Sequence, residues 1–120
     1  MNILIVDDSK AMRAIVMRAV KGAGFADAAF REAGNGVEAL AAIHATAPDL
    51  VLTDWNMPEM SGFELLQALR AEGSTVKIGL VTSESNPALR DQALAAGALF
   101  ILCKPFTPDA VKAALQPVLA

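Results

Sequence analysis

Four short apolar runs alternate with longer segments of helical pattern, and this alternation constrains the fold more than any other feature of the chain. The runs are Ile3 to Val6, Leu50 to Leu52, Ile78 to Val81 and Leu99 to Leu102. Continuous apolar runs of this length, bounded by polar or turn residues, are typical of strands buried on both faces of a parallel sheet. A weaker run, Ala28 to Ala33, carries two charged residues and is predicted to be an exposed edge strand.

Five helices are predicted between and after the strands. Two have the spacing of a helix with one apolar face: Met12, Ile15, Val16, Ala19 and Val20 in the first, and Val111, Ala114, Leu115 and Val118 in the last. Capping signals mark where the others begin: possible capping boxes at Asn35 with Glu38 and at Ser61 with Glu64, and a capping residue before proline at Asn86-Pro87 and Thr107-Pro108. Helix-ending glycines are expected at Gly73, at Gly97 and at either Gly22 or Gly24.

The pattern is therefore a βα unit repeated five times. Right-handed crossovers then give an α/β fold with a doubly wound five-stranded parallel sheet and five helices on its two faces. The weak second strand suits an edge, which favours the flavodoxin-like strand order 2-1-3-4-5. Because no linker, repeat or low-complexity tract divides the chain, residues 1–120 are expected to form a single domain.

Composition excludes several classes of protein. The chain is 54% hydrophobic and 19% charged, which is typical of a globular domain. Its apolar runs fall far short of the roughly 18 residues of a membrane span. The net charge is −3 with scattered basic residues, so direct nucleic-acid binding is not expected. The single Cys103 excludes an internal disulfide, which suits the cytoplasm, the expected location.

Polar residues follow the apolar runs at one predicted edge of the sheet. Asp7 and Asp8 follow the first run, Asp54 the third, Thr82 the fourth and Lys104 the last. In open parallel sheets, ligands bind beyond the carboxyl ends of the strands, where the strand order reverses. The sequence therefore predicts one site that contains all five side chains.

Three neighbouring carboxylates repel one another, and a hard divalent cation would relieve that repulsion. Mg²⁺ takes oxygen ligands and typically uses one or two carboxylates together with phosphate oxygens and water. The predicted ligands are Asp7, Asp8 and Asp54, directly or through water, with a backbone carbonyl of the following loop, that of Asn56. The cofactor predicted from the residues is therefore Mg²⁺.

A metal, an ammonium group and a hydroxyl around one carboxylate suit phosphoryl transfer. Such a transfer needs its anionic oxygens neutralised, which Lys104 and the metal would do, while Thr82 supplies a hydroxyl donor. An oxygen of Asp54 would then act as the nucleophile and form an acyl phosphate.

The segments ILIVDDS, LVLTDWNMPEMSG, LVTSE and ILCKPF resemble, in order and spacing, the receiver domains of two-component response regulators. The resemblance covers essentially the whole chain and is greatest to the single-domain, chemotaxis-type (CheY-like) regulators. It implies a phosphorylatable switch of a phosphorelay, with Asp54 as phosphoacceptor, Thr82 as switch hydroxyl and Lys104 in contact with the phosphoryl group. Mg²⁺ would be held by Asp7, Asp8, Asp54 and the Asn56 carbonyl, with Asp8 and Asp54 expected as direct ligands.

The resemblance has three further implications. The Lys104-Pro105 bond is expected to be cis. Asn56 and Glu84 occupy positions that tune the loss of the phosphoryl group, and their identities imply a short phosphorylated lifetime. Ile101 departs from the family, because many members carry Tyr or Phe there, and Phe100 should point to the opposite face of the strand. Activation is therefore expected to use the threonine step with a smaller aliphatic rearrangement.

The implied partners are a sensor histidine kinase or a histidine phosphotransfer protein, and a downstream target that contacts helix 4, strand 5 and helix 5. A flagellar motor switch is one candidate target, and a monomer is expected. The chain is not expected to be an enzyme beyond self-catalysed phosphoryl acceptance and autodephosphorylation. Three alternatives remain: a phosphatase or phosphotransferase with an aspartyl phosphate, a phosphorylation-independent interaction domain, and a receiver excised from a larger regulator.

Four other features are interpreted structurally. His44 is expected to be exposed near a helix C-terminus, and Cys103 to pack as a small hydrophobe. Trp55 is expected to be partly exposed near the site. Gly79 lies inside a predicted strand, where it could permit close packing.

Overall fold

The computed structural model describes residues 1–84 and 86–119. It contains five strands and five helices in strict alternation. The strands are β1 (Asn2–Val6), β2 (Ala29–Ala33), β3 (Leu50–Asp54), β4 (Ile78–Thr82) and β5 (Phe100–Cys103). The helices are α1 (Lys10–Val20), α2 (Gly36–Ala45), α3 (Gly62–Ala71), α4 (Pro87–Ala95) and α5 (Pro108–Leu119), and a π-helical turn (Lys21–Phe25) continues α1.

The strands form one parallel sheet in the order β2-β1-β3-β4-β5. This confirms the predicted fold class, strand order and edge position of β2. The register pairs Val6 with Thr53 and Asp54 with Val81, so the carboxyl ends of the central strands lie level. The residues that follow these strands are thereby brought to one edge of the sheet.

Alternate residues of each central strand enter different halves of the core. Ile3 and Ile5 pack with α1 and α5, whereas Leu4 and Val6 pack with α2 and α3. All four are at most 1% exposed. Because both faces of the strand are buried, the sequence is continuously apolar rather than alternating, which is why the runs identified a parallel sheet.

The helix-terminal signals are confirmed with one correction. Ser61 and Glu64 form a full capping box, whereas the side chain of Glu38 accepts from Gly34 N–H instead of completing a box with Asn35. The bond from Gly34 N–H to the Glu38 side chain replaces the bond from Asn35 N–H that a capping box would have. Gly73 and Gly97 have positive φ at helix ends, and so does Gly24 rather than Gly22.

The prediction for one residue of the apolar face of α1 is wrong. Ile15 is 47% exposed, whereas Val16 and Val20 are buried. The buried face of α1 is therefore narrower than the spacing of its apolar residues suggested. Met12 packs only partly against the core.

Gly79 has a packing role that the sequence left open. It pairs with Phe100 across β4 and β5, and a Cβ at Gly79 would collide with the Phe100 ring. The missing side chain therefore makes room for the buried ring of Phe100. Ile101 packs on the opposite face, as the alternation of the strand predicted.

In the described part of the chain, no helix has both the length and the apolar character needed to cross a lipid bilayer.

Candidate functional site

The turn after β1 presents two carboxylates in different environments. Asp7 is 3% exposed, and its Oδ1 accepts the backbone N–H of Ser9 at 2.9 Å. Ser9 in turn caps α1, since its side chain accepts from Met12 N–H. Asp8 is exposed. The first carboxylate is therefore fixed by the start of a helix, while the second faces solvent at the mouth of the site.

Asp54 is the last residue of β3, and the loop after it turns sharply away. Trp55 N–H donates to the carbonyl of Val81, and Gly62 N–H donates to the carbonyl of Trp55, both at 2.9 Å. A Cβ at Gly62 would collide with the Asp54 carbonyl, so only glycine allows this approach. The loop that carries Asn56 is thereby closed against the end of the strand that carries Asp54.

Trp55 lies beside the site in a defined position. Its side chain is partly buried, as predicted, and its ring stacks on Phe63 with centroids 5.4 Å apart and planes 6° from parallel. Phe63 lies in the first turn of α3. The indole is therefore held one residue from Asp54 by the helix that follows the loop.

Lys104 reaches the carboxylates from the end of β5. Its Nζ lies 3.2 Å from Oδ1 of Asp54 and 3.7 Å from Oδ2 of Asp7. The peptide bond to Pro105 is cis, as the resemblance implied. The lysine side chain is 22% exposed, so its ammonium group points into the site.

The three aspartates form one cluster. One carboxylate oxygen from each of Asp7, Asp8 and Asp54 lies within 4.8 Å of the other two. Hard cations such as Mg²⁺ and Ca²⁺ take oxygen ligands of this kind, and an all-carboxylate set with no thiolate or imidazole disfavours softer metals. The donor set therefore fits a hard divalent cation.

Burial disfavours the charged forms of two carboxylates in the cluster. Burial raises the pKa of Asp54 above its ordinary value, and the charge of Lys104 offsets only part of that rise. Burial also raises the pKa of Asp7, although the N–H of Ser9 lowers it. A cation that binds the ionised carboxylates would relieve this cost.

Thr82 is the last residue of β4 and is 5% exposed. Its Oγ1 accepts the backbone N–H of Glu84 at 3.1 Å, and its carbonyl accepts the N–H of Lys104 at 2.7 Å. A pocket of about 180 Å³ opens beside it, whose lining includes Trp55 and Ile101. The structure thus brings Thr82 and Lys104 to the same edge as the aspartates.

Two interpretations of individual residues have different outcomes. His44 is exposed near the end of α2, as expected, and its Nε2 lies 2.8 Å from Glu72. Cys103 is exposed, so its predicted packing as a core residue is wrong. It is the last residue of the short edge strand β5, and its Sγ contacts the carbonyl of Glu84 at 3.7 Å.

Known sequences place the chain in a family. The family described as "Response regulator receiver domain" matches residues 3–116. The chain belongs to the response regulator receiver family. As a receiver domain, it is 41% identical over 122 residues to Chemotaxis protein CheY1 of Helicobacter pylori strain J99, with 99% of this chain and 97% of that protein covered.

Two further chemotaxis regulators are similar to this chain over nearly their full length. Chemotaxis protein CheY of Pseudomonas aeruginosa strain PAO1 is 37% identical to this receiver domain over 120 residues, with 98% of this chain and 95% of that protein covered. The structure of chemotaxis response regulator CheY4 of Vibrio cholerae superposes with a TM-score of 0.84 at 35% identity, covering 98% of both chains. The chain is thus a phosphorylatable switch related to CheY, and its acidic pocket fits the phosphorylation site.

Proposed function

We propose that Asp54 accepts a phosphoryl group from a phosphohistidine on a sensor histidine kinase or a histidine phosphotransfer protein. The single observation that carries this proposal is the convergence of the Asp54 carboxylate with the Lys104 ammonium and the other two aspartates. The proposed chemistry is limited to acceptance and loss of the chain's own phosphoryl group. Turnover of other substrates is not part of the proposal.

A carboxylate oxygen of Asp54 is the nucleophile. It bonds to phosphorus as the P–N bond to the donor imidazole breaks, and the bonding electrons leave with the ring nitrogen. The product is an acyl phosphate, which water later hydrolyses to the carboxylate and inorganic phosphate. Lys104, already 3.2 Å from this carboxylate, pairs with the anionic oxygens as they develop.

The proposed ligands of Mg²⁺ are the carboxylates of Asp7, Asp8 and Asp54 and the backbone carbonyl of Asn56. When bound, Mg²⁺ would neutralise charge on the carboxylates and on the phosphoryl oxygens. The all-oxygen donor set and the raised pKa of Asp7 and Asp54 support this assignment. The protein's own part is to hold three carboxylates together despite their mutual repulsion.

Thr82 is the proposed switch. Its bond to Glu84 N–H uses the oxygen as an acceptor, and among residues 1–84 and 86–119 the hydroxyl donates to no other group. A phosphoryl group on Asp54 would bring new anionic acceptors, and the hydroxyl and Lys104 would turn towards them. Since the carbonyl of Thr82 is bonded to Lys104 N–H, a shift at β4 is passed to β5. The proposed output surface is α4, β5 and α5.

Chemical trapping tests the acceptor. The protein is treated with acetyl phosphate and Mg²⁺, reduced with borohydride, digested and mapped by mass spectrometry. An acyl phosphate is reduced to an alcohol, so the expected product is homoserine at position 54. Asp91→Asn, which changes an exposed aspartate of α4, is the matched control and should be trapped like wild type. Trapping at another aspartate would refute the assignment.

The downstream partner is proposed to recognise the phosphorylated form. A captured target should bind wild type more tightly when acetyl phosphate and Mg²⁺ are present, and Asp54→Asn should not respond. Thr82→Val should still take up phosphate but lose the gain in binding. Equal binding by wild type and Asp54→Asn under all conditions would instead favour a phosphorylation-independent interaction domain.

A further inference from the structure

Arg13 connects the turn after β1 to strand β2, beside the acidic cluster. It lies in the first turns of α1, and its side chain is only 16% exposed. Its Nη1 donates to the backbone carbonyl of Asp7 at 2.6 Å, and its Nε donates to Oε1 of Glu32 at 2.9 Å. One guanidinium group therefore ties the turn after β1 to the edge strand β2.

The carbonyl that Arg13 holds belongs to the peptide between Asp7 and Asp8. The orientation of this peptide plane sets the direction in which the Asp8 side chain leaves the backbone. The carboxylate of Asp7 is fixed independently by Ser9 N–H. Arg13 thus restrains the exposed member of the cluster, whose direction would otherwise depend on a short turn.

The charge of Arg13 is directed away from the cluster. Within residues 1–84 and 86–119, its ion pair is with Glu32, and none joins it to the carboxylates of Asp7, Asp8 or Asp54. Lys104 differs, because its ammonium group lies against two of these carboxylates. A planar guanidinium can bond a carbonyl and a carboxylate at the same time, which a single ammonium group does less well.

We propose that Arg13 is a positioning residue for the cation site: anchored by Glu32, it holds the Asp7–Asp8 peptide so that Asp8 faces the other two aspartates. This inference rests on the proposed function, because it assumes that the cluster binds Mg²⁺. Groups that orient metal ligands commonly change metal affinity about 10–100-fold when they are removed. Arg13 would act in this way through the backbone.

When Arg13 is replaced, the proposal and simple electrostatics predict changes in Mg²⁺ affinity of opposite sign. Removing a positive charge near an acidic cluster should strengthen cation binding. Removing a group that positions a ligand should weaken it. The direction of the change in Mg²⁺ affinity therefore separates a positioning residue from one that contributes only charge.

Mg²⁺ affinity is measured from the dependence of the thermal unfolding midpoint on Mg²⁺ concentration. The proteins are wild type, Arg13→Met, Arg13→Lys and Arg18→Met. Arg18 lies on an exposed face of the same helix, so its replacement removes the same charge without touching the Asp7 carbonyl. The expected result is a Mg²⁺ dissociation constant about tenfold higher in Arg13→Met. Arg13→Lys should show a smaller increase, and Arg18→Met should match wild type.

A second measurement distinguishes a positioning role of Arg13 from a general loss of structure at the site. The rate of phosphorylation by acetyl phosphate is measured as a function of Mg²⁺. Arg13→Met should need more Mg²⁺ for half of its maximal rate but reach a maximal rate within about twofold of wild type, because excess metal compensates for lost affinity. A lower maximal rate with an unchanged Mg²⁺ requirement would overturn the positioning role.

The two proposals fail in different ways. If wild type shows no Mg²⁺-dependent stabilisation, the proposed cation site itself is wrong. If wild type responds and Arg13→Met binds Mg²⁺ as tightly as Arg18→Met or more tightly, only the role of Arg13 is refuted. Should Arg13→Met fail to fold, Arg13→Lys decides: wild-type affinity in that protein would overturn the bridging role.

Discussion

The ammonium group of Lys104 bridges the site, with Nζ 3.2 Å from Asp54 and 3.7 Å from Asp7. This contact partly offsets the repulsion between two buried carboxylates, because the charge of Lys104 lowers the pKa of both. The same contact places a protein cation where a metal ion would act. Lys104 and a divalent cation are therefore expected to compete electrostatically before phosphorylation.

Replacing Lys104 tests this competition. Lys104→Met should bind Mg²⁺ about fivefold more tightly than wild type, since roughly 1 kcal/mol of Coulombic interaction is available across a partly exposed site. Mg²⁺ binding is measured by the shift of the thermal unfolding midpoint. Lys112→Met, which removes an exposed lysine of α5, is the control. Equal affinities in the three proteins would mean that Lys104 does not oppose the metal.

Asp54→Asn should increase stability in the absence of metal. The amide keeps the shape of the carboxylate but removes the charge that burial disfavours, as the raised pKa indicates. The free energy of unfolding at neutral pH, measured by urea denaturation in EDTA, should rise by about 0.5–2 kcal/mol, at the cost of function. A variant less stable than wild type would show that the ion pair with Lys104 outweighs the cost of burial.

The pH dependence of that difference has a defined sign. Because the pKa of Asp54 is raised in the folded state, the folded protein keeps a proton that the unfolded chain has lost. The contribution of Asp54 to wild-type stability therefore falls as pH rises from the unfolded value of about 3.9 through the raised pKa, by at most about 1.4 kcal/mol per pH unit for one proton. Asp54→Asn lacks this loss.

Urea denaturation in EDTA at a series of pH values measures the effect. The stability advantage of Asp54→Asn over wild type should be smallest near pH 4 and should grow as the pH rises, then become constant. Subtracting the two curves removes the contributions of groups that do not interact with position 54, among them Glu64, whose pKa is lowered by the N–H of Ser61. Asp7 remains in the difference with the same sign, because the charge of Asp54 raises its pKa in wild type only. A constant difference across the range would contradict the raised pKa.

Gly79→Ala should destabilise the fold by about 1–3 kcal/mol, because a Cβ there collides with the ring of Phe100. Adding Phe100→Leu should recover part of the loss. Gly22→Ala is the control, since its Cβ would meet only the ring of Pro108 at 3.9 Å. Denaturant unfolding of wild type, Gly79→Ala, Phe100→Leu, the double variant and Gly22→Ala measures these effects. Independent, additive losses in the double variant would mean that the two residues do not share the space.

The fold was predictable because its signals repeat. Strands buried on both faces leave continuous apolar runs, and capping residues and glycines mark most helix ends. The exposure of Ile15 and Cys103 was not predicted, because residue type and periodicity do not show how far neighbouring elements cover a helix face or a strand end. The register that decides this depends on pairing between distant segments, such as Gly79 with Phe100.

The side chains of the candidate site were predictable, but the residue that positions its backbone was not. Asp7, Asp8, Asp54, Thr82 and Lys104 each follow an apolar run, so the topology alone brings them together. Arg13 was not singled out, because a helical arginine gives no sign of which carbonyl it meets. Its bonds depend on Glu32 of β2 and the carbonyl of Asp7 both lying within reach of one side chain of α1. The roles of the five side chains and of Asn56 stay predictions.

The most direct test of the central claim uses the single tryptophan. Trp55 adjoins Asp54 and stacks on Phe63, so its emission should respond to events at the site. Mg²⁺ and then acetyl phosphate are added to wild type and to Asp54→Asn, with intact mass recorded at each step. The account predicts a change with Mg²⁺ in wild type, then a further reversible change that accompanies one added phosphoryl group and is absent in Asp54→Asn. Uptake of phosphate by Asp54→Asn, or none by wild type, would contradict it.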